Sequence, residues 1–251
     1  MEYTPNYLVV ESAAESISRL VTESRKLKFI VMLRDPVKRV ESSWKFKKSF
    51  CRACSNHIDK SIPSFLLSIG RGMNQGRCIS TCYDNYLQMK KNRTLPTHAK
   101  FKDFCSILEC RLRHDDKSGS SGGRSHLAHV VKSMYAYQLI IWYEFFHPSQ
   151  FHIFTLESYI KCPFCEIEKI LQFFGLATFD HKDKNSQPGF PDKGTLDRIL
   201  KTKLNATPKI EEVEAEVTPE TLQNLTKFFV PHNILLQGVL GWSPGYTDSW
   251  N

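Results

Sequence analysis

Lys28-Phe29-Ile30-Val31-Met32-Leu33-Arg34-Asp35-Pro36-Val37-Lys38-Arg39-Val40-Glu41-Ser42-Ser43-Trp44 is the stretch on which the fold turns. Its first six residues, KFIVML, form a compact apolar run of the kind buried in a parallel sheet. Asp35 suits a helix cap, and Pro36 the first helical position, where a missing N–H costs nothing. Strand, tight turn and helix therefore follow one another. In physical terms such a turn is an anion site: helix N–H groups and the helix dipole face the ligand, Arg34 can fork onto phosphate, and Ser42 adds a hydroxyl. The same residues also fit a structural account, a capped helix whose Arg34 pairs with a nearby carboxylate.

Outward from this stretch, residues 11–25 carry Ile17, Leu20 and Val21 at helical spacing. Residues 51–125 read as an insertion, with six of the eight cysteines, scattered charge and the Gly/Ser loop from Ser118 to Ser125. Val131, Met134, Tyr135, Leu139, Trp142 and Phe146 predict one long core helix from about Leu127 to Phe146, stopped near Pro148. FHIFTL, Phe151 to Leu156, is a second strand, and Pro163 to Gly175 a helix ended by glycine. Thr218 caps a last helix that starts at Pro219 and runs toward Gly241, with Pro231 as a kink. Strands alternating with helices indicate an α/β domain with a mainly parallel sheet.

The chain has 251 residues, 41% of them hydrophobic, enough for a real core and too many for disorder. No apolar run reaches membrane-spanning length, and the opening MEYTPNYLVVESAAES lacks the blocks of a signal peptide, so the chain reads as soluble. Lys and Arg outnumber Asp and Glu by 34 to 26, a net +8 that favours an anionic partner: nucleic acid, phosphorylated cofactor or acidic polysaccharide. The cysteines fall into four close pairs, Cys51 with Cys54, Cys78 with Cys82, Cys105 with Cys110 and Cys162 with Cys165. Disulfides, buried thiols and zinc all remain open, with disulfides favoured and the cysteines of 51–110 expected to pair within the insertion. The sequons at Asn92, Asn205 and Asn224 lean the same way, toward a secretory lumen.

The segment KFIVMLRDPVKRVESSWKF resembles the 3′-phosphate-binding element of sulfotransferases that use 3′-phosphoadenosine 5′-phosphosulfate, an apolar strand followed by R-D-P-x-x-R-x-x-S-x-[WY]. SMYAYQLIIWYEFFHPSQFHIFTLESYIKCPFCEIEKILQFFGL is similar to the later part of that domain in Golgi enzymes that sulfate heparan-type polysaccharides, of the 3-O- and N-sulfotransferase type. VTPETLQNLTKFFVPHNILLQGVLG resembles their closing helix. The three blocks cover roughly residues 1–50 and 126–242 in the family's order.

The resemblance implies a parallel sheet like that of phosphate-loop nucleotidases, flanked by helices, with 51–125 as a Cys-rich insertion into a single domain spanning 1–251. It assigns Arg34 and Ser42 to the cofactor's 3′-phosphate, with Arg39 as a structural partner. Lys184 and Asn185, ahead of Phe190-Pro191, take the place of the family's Lys-Gly-Arg-like loop, from which they depart. Glu2 to Tyr7 resembles a cleft-lining element whose lysine is Tyr3 here. No G-x-x-x-x-G-K-[ST] motif occurs, so the phosphosulfate loop and the catalytic base are expected upstream of Met1, in a chain that is the C-terminal two thirds of the domain and inactive alone. The implied activity is transfer of a sulfuryl group from 3′-phosphoadenosine 5′-phosphosulfate, without a metal, to a hydroxyl or amine of an anionic polysaccharide or other glycan in the Golgi lumen. No nucleic-acid partner is implied, and a membrane only through a segment absent from this chain. Lys45, Lys47, Lys48 and Arg52 form a basic stretch that meets either the glycan or only solvent. Two other classes compete: a nucleotide kinase, for which metal-binding carboxylates are lacking, and a non-catalytic binding module on a degenerate scaffold.

Overall fold

The computed structural model describes residues 7–55, 64–104, 129–176 and 211–242, with Gly194, Arg198 and Trp250. Two strands, β1 (Phe29–Leu33) and β2 (Phe151–Thr155), and nine helices appear among them. The helices are α1 (Glu11–Leu20), α2 (Pro36–Ser55), α3 (Phe65–Lys91), α4 (Phe101–Phe104), α5 (Tyr135–Tyr143), α6 (Leu156–Lys161), α7 (Pro163–Phe174), α8 (Glu211–Ala215) and α9 (Pro219–Leu240). The protein is α/β with a parallel sheet flanked by helices, and it divides into two compact units. One, with the strands, lies within Lys26–Arg34 and Pro148–Thr207; the other, helical, within Met1–Arg25, Asp35–His147 and Pro208–Asn251.

In the strand unit β1 and β2 run parallel, with Phe29 opposite Phe151 and Leu33 opposite Thr155. The Phe29 and Phe151 rings stack at 4.8 Å between centroids, a cross-strand pair on one face. Thr155 ends β2 and opens α6 with a reciprocal cap: its Oγ1 accepts the Ser158 N–H at 3.0 Å, and Ser158 Oγ accepts the Thr155 N–H at 3.3 Å. Cys162 then both closes α6 and caps α7, which Gly175 ends at φ 72°, a left-handed conformation that glycine adopts without a Cβ penalty. A Cys162–Cys165 disulfide spans the first turn of α7.

The expectation that the run 28–33 is wholly buried needs correction. Leu33 is buried, but Ile30 and Met32 are 41% and 54% exposed. Strand side chains alternate between faces, and among the described residues rings from α6 and α7 lie on this face against β2. Tyr159 lies against Phe154 and Phe173 against His152, the register partners of Met32 and Ile30.

The helical unit is built on the apolar stripe Val37, Val40 and Trp44 of α2, whose spacing puts them on one helix face. Trp44 is fully buried, its ring 5.1 Å from that of Phe65 at the start of α3. Ile69 and Ile79 of α3, Tyr137 and Ile141 of α5, and Leu225 and Phe229 of α9 complete this core. The stretch read as an insertion thus supplies core side chains, Phe65, Ile69, Ile79, Tyr86 and Phe101 among them. Cys78 and Cys82 on α3 are both disulfide-bonded. α9 begins and ends as its sequence signals require: Thr218 Oγ1 accepts the Thr221 N–H at 3.2 Å, and Gly241 closes it at φ 63°.

The long helix expected over 127–146 is interrupted; Leu127 and Ala128 lie outside the described residues. Val131–Ser133 form a single tight turn, and Met134, at φ −88° and ψ 67°, leaves helical space before α5 starts at Tyr135. Side chains take over the carbonyls this break exposes. Gln138 Nε2 donates to Val131 O and Lys132 O, each at 3.1 Å, and Ser133 Oγ donates to His129 O at 3.0 Å. A three- and four-residue apolar spacing is kept through such a turn, so periodicity alone reads it as unbroken helix.

Gly76 on α3 sits close against its neighbours: a Cβ there would stand 2.6 Å from Phe228 Cζ and 2.8 Å from Met134 Sδ. Gly70, on the same helix, has open space around it. Gly76→Ala is expected to cost about 1–3 kcal/mol by overpacking, while Gly70→Ala gains up to about 1 kcal/mol from helix propensity. Urea denaturation checks the pair: the midpoint falls for the first and holds or rises for the second.

Candidate functional site

Asp35 is 4% exposed and caps α2 from within the chain. Its Oδ1 accepts the N–H groups of Val37 at 2.9 Å and Lys38 at 3.2 Å, and its Oδ2 lies 3.5 Å from Lys38 Nζ. The Arg39 N–H donates to Asp35 O at 2.8 Å, the first turn of helix. This cap corrects the simple picture of an anion on free helix N–H groups. Two of those donors are already used, so an anion at this turn is held by side chains. Arg34, half-buried, ends the strand unit just beyond β1; Ser42, half-buried, stands on α2 of the helical unit. Lys184 and Asn185 lie outside the described residues.

Arg39 has the structural role expected of it. Its Nη1 donates to Ser133 Oγ at 3.0 Å and to His129 O at 3.4 Å, while Ser43 Oγ and His129 Nδ1 are hydrogen-bonded at 2.8 Å. These bonds fasten α2 to the 129–134 turn.

Two members of the basic stretch on α2, Lys45 and Lys48, are engaged within the fold rather than free or solvated. Lys45 Nζ pairs with Glu41 at 2.7 Å and with Glu214 of α8, and Lys48 Nζ lies 3.5 Å from Glu216. Burial alone would lower the Lys45 ammonium, but Glu214 and Glu41 outweigh it and hold the group above its ordinary range. Lys48 is buried, with its ammonium 5.7 Å from the Trp44 ring. The Arg52 side chain lies outside the described residues.

A second feature of the helical unit was invisible in the sequence reading. A cleft of about 810 Å³ is lined by α3, α5 and α9, with Tyr83, Asp84, Tyr137, Lys227, Phe228 and His232 among its residues. His232 is buried, its Nδ1 3.1 Å from Tyr137 Oη and its ring 4.8 Å from that of Phe228. Burial pushes the imidazole down to about 4 and raises the Tyr137 phenol well above its ordinary value. Both groups are therefore neutral near pH 7, and the cleft floor is an aromatic surface with an uncharged hydrogen-bonding pair. Arg77, Asp84 and Lys227 supply mixed charge around it. The sequence signal was slight: one histidine in the apolar stretch of α9, directly after Pro231.

The His232 shift has a definite pH signature. The native imidazole stays neutral down to about 4, whereas an unfolded one protonates below about 6.5, so the unfolded chain binds the extra proton in between and stability falls as pH drops through that window. The drop from this group is about 3 kcal/mol across the whole interval. Thermal unfolding from pH 7 to pH 5 is expected to show a smaller decrease in Tm for His232→Gln than for the parent chain; equal slopes would contradict the assignment.

Comparison with known proteins bears on the family of the chain. The sulfotransferase domain model matches residues 10–228, the R-D-P-x-x-R-x-x-S segment included. Carbohydrate sulfotransferase 15 of Nototodarus sloanii is 29% identical over 92 residues, 37% of this chain and 51% of that protein, so the chain spans about half the length of this curated relative. The crystal structure of a sulfotransferase from Alicyclobacillus acidocaldarius matches with a TM-score of 0.51 over 98% of this chain and 65% of that one, at 15% identity, a likeness of fold. The strand–turn–helix segment and the match over most of the chain lead to one family: the chain belongs to the sulfotransferase domain family.

Proposed function

We propose that the protein contributes to transfer of a sulfuryl group from 3′-phosphoadenosine 5′-phosphosulfate to a hydroxyl or amine of a glycan, with Arg34 and Ser42 holding the donor's 3′-phosphate. The observation that carries this is the R-D-P-x-x-R-x-x-S segment, lying where a parallel strand ends and a helix begins in a chain of this family. The donor set suits a phosphate. Arg34 offers a planar fork and Ser42 a hydroxyl, both partly accessible, while the one carboxylate of the turn, Asp35, is withdrawn into the cap of α2. A carboxylate compensated by two helix N–H groups and the Lys38 ammonium repels an incoming phosphate less than an unpaired one. Lys184 and Asn185 join this set on sequence resemblance alone.

When bound, the donor supplies an activated sulfuryl group on a phosphate-type leaving group. Arg34 and Ser42 anchor the nucleotide end, which orients the reacting end without acting on it. The glycan acceptor is supported by the name of the curated relative and by the aromatic, mixed-charge cleft of the helical unit, where the half-buried Tyr83 suits the flat face and hydroxyls of a saccharide. A Golgi-lumen setting is supported by oxidised cysteines at 78, 82, 162 and 165.

Calorimetric titration with adenosine 3′,5′-bisphosphate tests the phosphate assignment. Arg34→Ala is expected to weaken binding about ten-fold or more, and Ser42→Ala by less, because a charge-assisted bond outweighs a neutral one. Unchanged affinity in Arg34→Ala overturns the reading.

A further inference from the structure

Where α6 ends and α7 begins the chain reads Lys161-Cys162-Pro163-Phe164-Cys165, and the two cysteines are joined in a disulfide. Anchoring of the 3′-phosphate makes no use of this bond. Its setting differs from that of a disulfide sealed in a core. Cys165 is exposed and Cys162 half-buried, so a small thiol has access to the Cys165 sulfur. The bond closes a loop of sequence separation 3, too short to restrict the unfolded chain much, so it serves poorly as a staple.

The two sulfurs are also chemically unequal. Cys162 is the N-cap of the 12-residue α7, and its Sγ accepts the Cys165 N–H at 3.3 Å. A thiolate released at that position keeps this hydrogen bond and faces the positive end of the helix dipole, which makes Cys162 the better leaving group. Pro163, at the first helical position, has no N–H to leave unsatisfied, and Ser158 O accepts the Cys162 N–H at 3.0 Å. Neither feature needs the disulfide, so the cap survives its opening.

We propose that Cys162–Cys165 is a redox-active pair that undergoes thiol–disulfide exchange with low-molecular-weight thiols of the glutathione class. An incoming thiolate attacks Cys165 Sγ. A mixed disulfide forms there, the Cys162–Cys165 bond breaks, and the electron pair leaves on Cys162. A second thiolate then attacks the small-molecule sulfur of the mixed disulfide and releases Cys165. The sum is one protein disulfide and two thiols converted to a protein dithiol and one small-molecule disulfide, with protons exchanged with water. In the reverse direction Cys165 attacks the small-molecule disulfide, and Cys162 resolves the adduct. This activity is independent of sulfuryl transfer.

The test uses the full oxidised chain and reduced glutathione, with acid quenching, alkylation and peptide mass spectrometry over time. A glutathione adduct on Cys165 with a free Cys162 thiol is expected first, then both thiols. They should appear about ten-fold faster than thiols at Cys78 and Cys82, which are also disulfide-bonded, and without loss of helical circular dichroism. Adduct on Cys162, opening no faster than at Cys78 and Cys82, or opening together with loss of helix overturns the proposal. Cys162→Ser, which keeps an oxygen at the N-cap, supplies an independent arm. Treated with oxidised glutathione it is expected to hold its Cys165 adduct, whereas the reduced parent chain resolves the adduct to the internal disulfide; equally rapid loss in both overturns the pairing of roles.

Discussion

The helical unit depends on the carboxylate of Asp35. A charge withdrawn from water must be met by hydrogen bonds, and here the partners are the first N–H groups of α2 and the Lys38 ammonium. Meeting them fixes where α2 starts and how it is rotated. From that rotation Val37, Val40 and Trp44 face the core, Arg39 and Ser43 reach the 129–134 turn, and Lys45 and Lys48 reach acidic groups around α8. One turn of helix thereby aligns the apolar contacts, the neutral hydrogen bonds and the ion pairs of the unit. It also buries the carboxylate that follows Arg34 in the chain.

Elements that end on local chemistry were legible in the sequence. Asp35-Pro36, Cys162-Pro163 with Gly175, and Thr218-Pro219 with Gly241 each carry cap, first-turn proline or left-handed glycine within a few residues, and the structure uses all of them. The two strands were legible for the same reason, being short apolar runs next to such signals. What depended on distant partners was not. Nothing near Met134 tells that Gln138 will turn back on Val131 and Lys132, because that amide would be as well placed in water. Lys45 and Lys48 look like a basic surface until Glu214 and Glu216 are brought to them from 169 and 168 positions along the chain.

The same division runs through the candidate site. Arg34 and Ser42 belong to a contiguous motif, so their proposed role rests on sequence resemblance and needs no distant partner. Tyr137 and His232 are 95 residues apart, and only the packing of α5 against α9 gives the imidazole its neutral state and the phenol its partner. The net charge of +8 was a poor guide to either. Several of the cations behind it, Lys45, Lys48 and Lys102, pair with acidic residues and hold elements together rather than face a ligand.

Pro231 lies inside α9 and has no N–H to give to the carbonyl of Lys227, one turn earlier. Both residues line the cleft. The helix is continuous in shape but discontinuous in its ladder of hydrogen bonds, and the break falls at the cleft wall. The N–H groups of His232, Asn233 and Ile234 still face carbonyls one turn earlier, so the ladder spans the proline with one rung missing. The missing rung leaves the Lys227 carbonyl, at the cleft wall, as an acceptor for water or for a ligand hydroxyl.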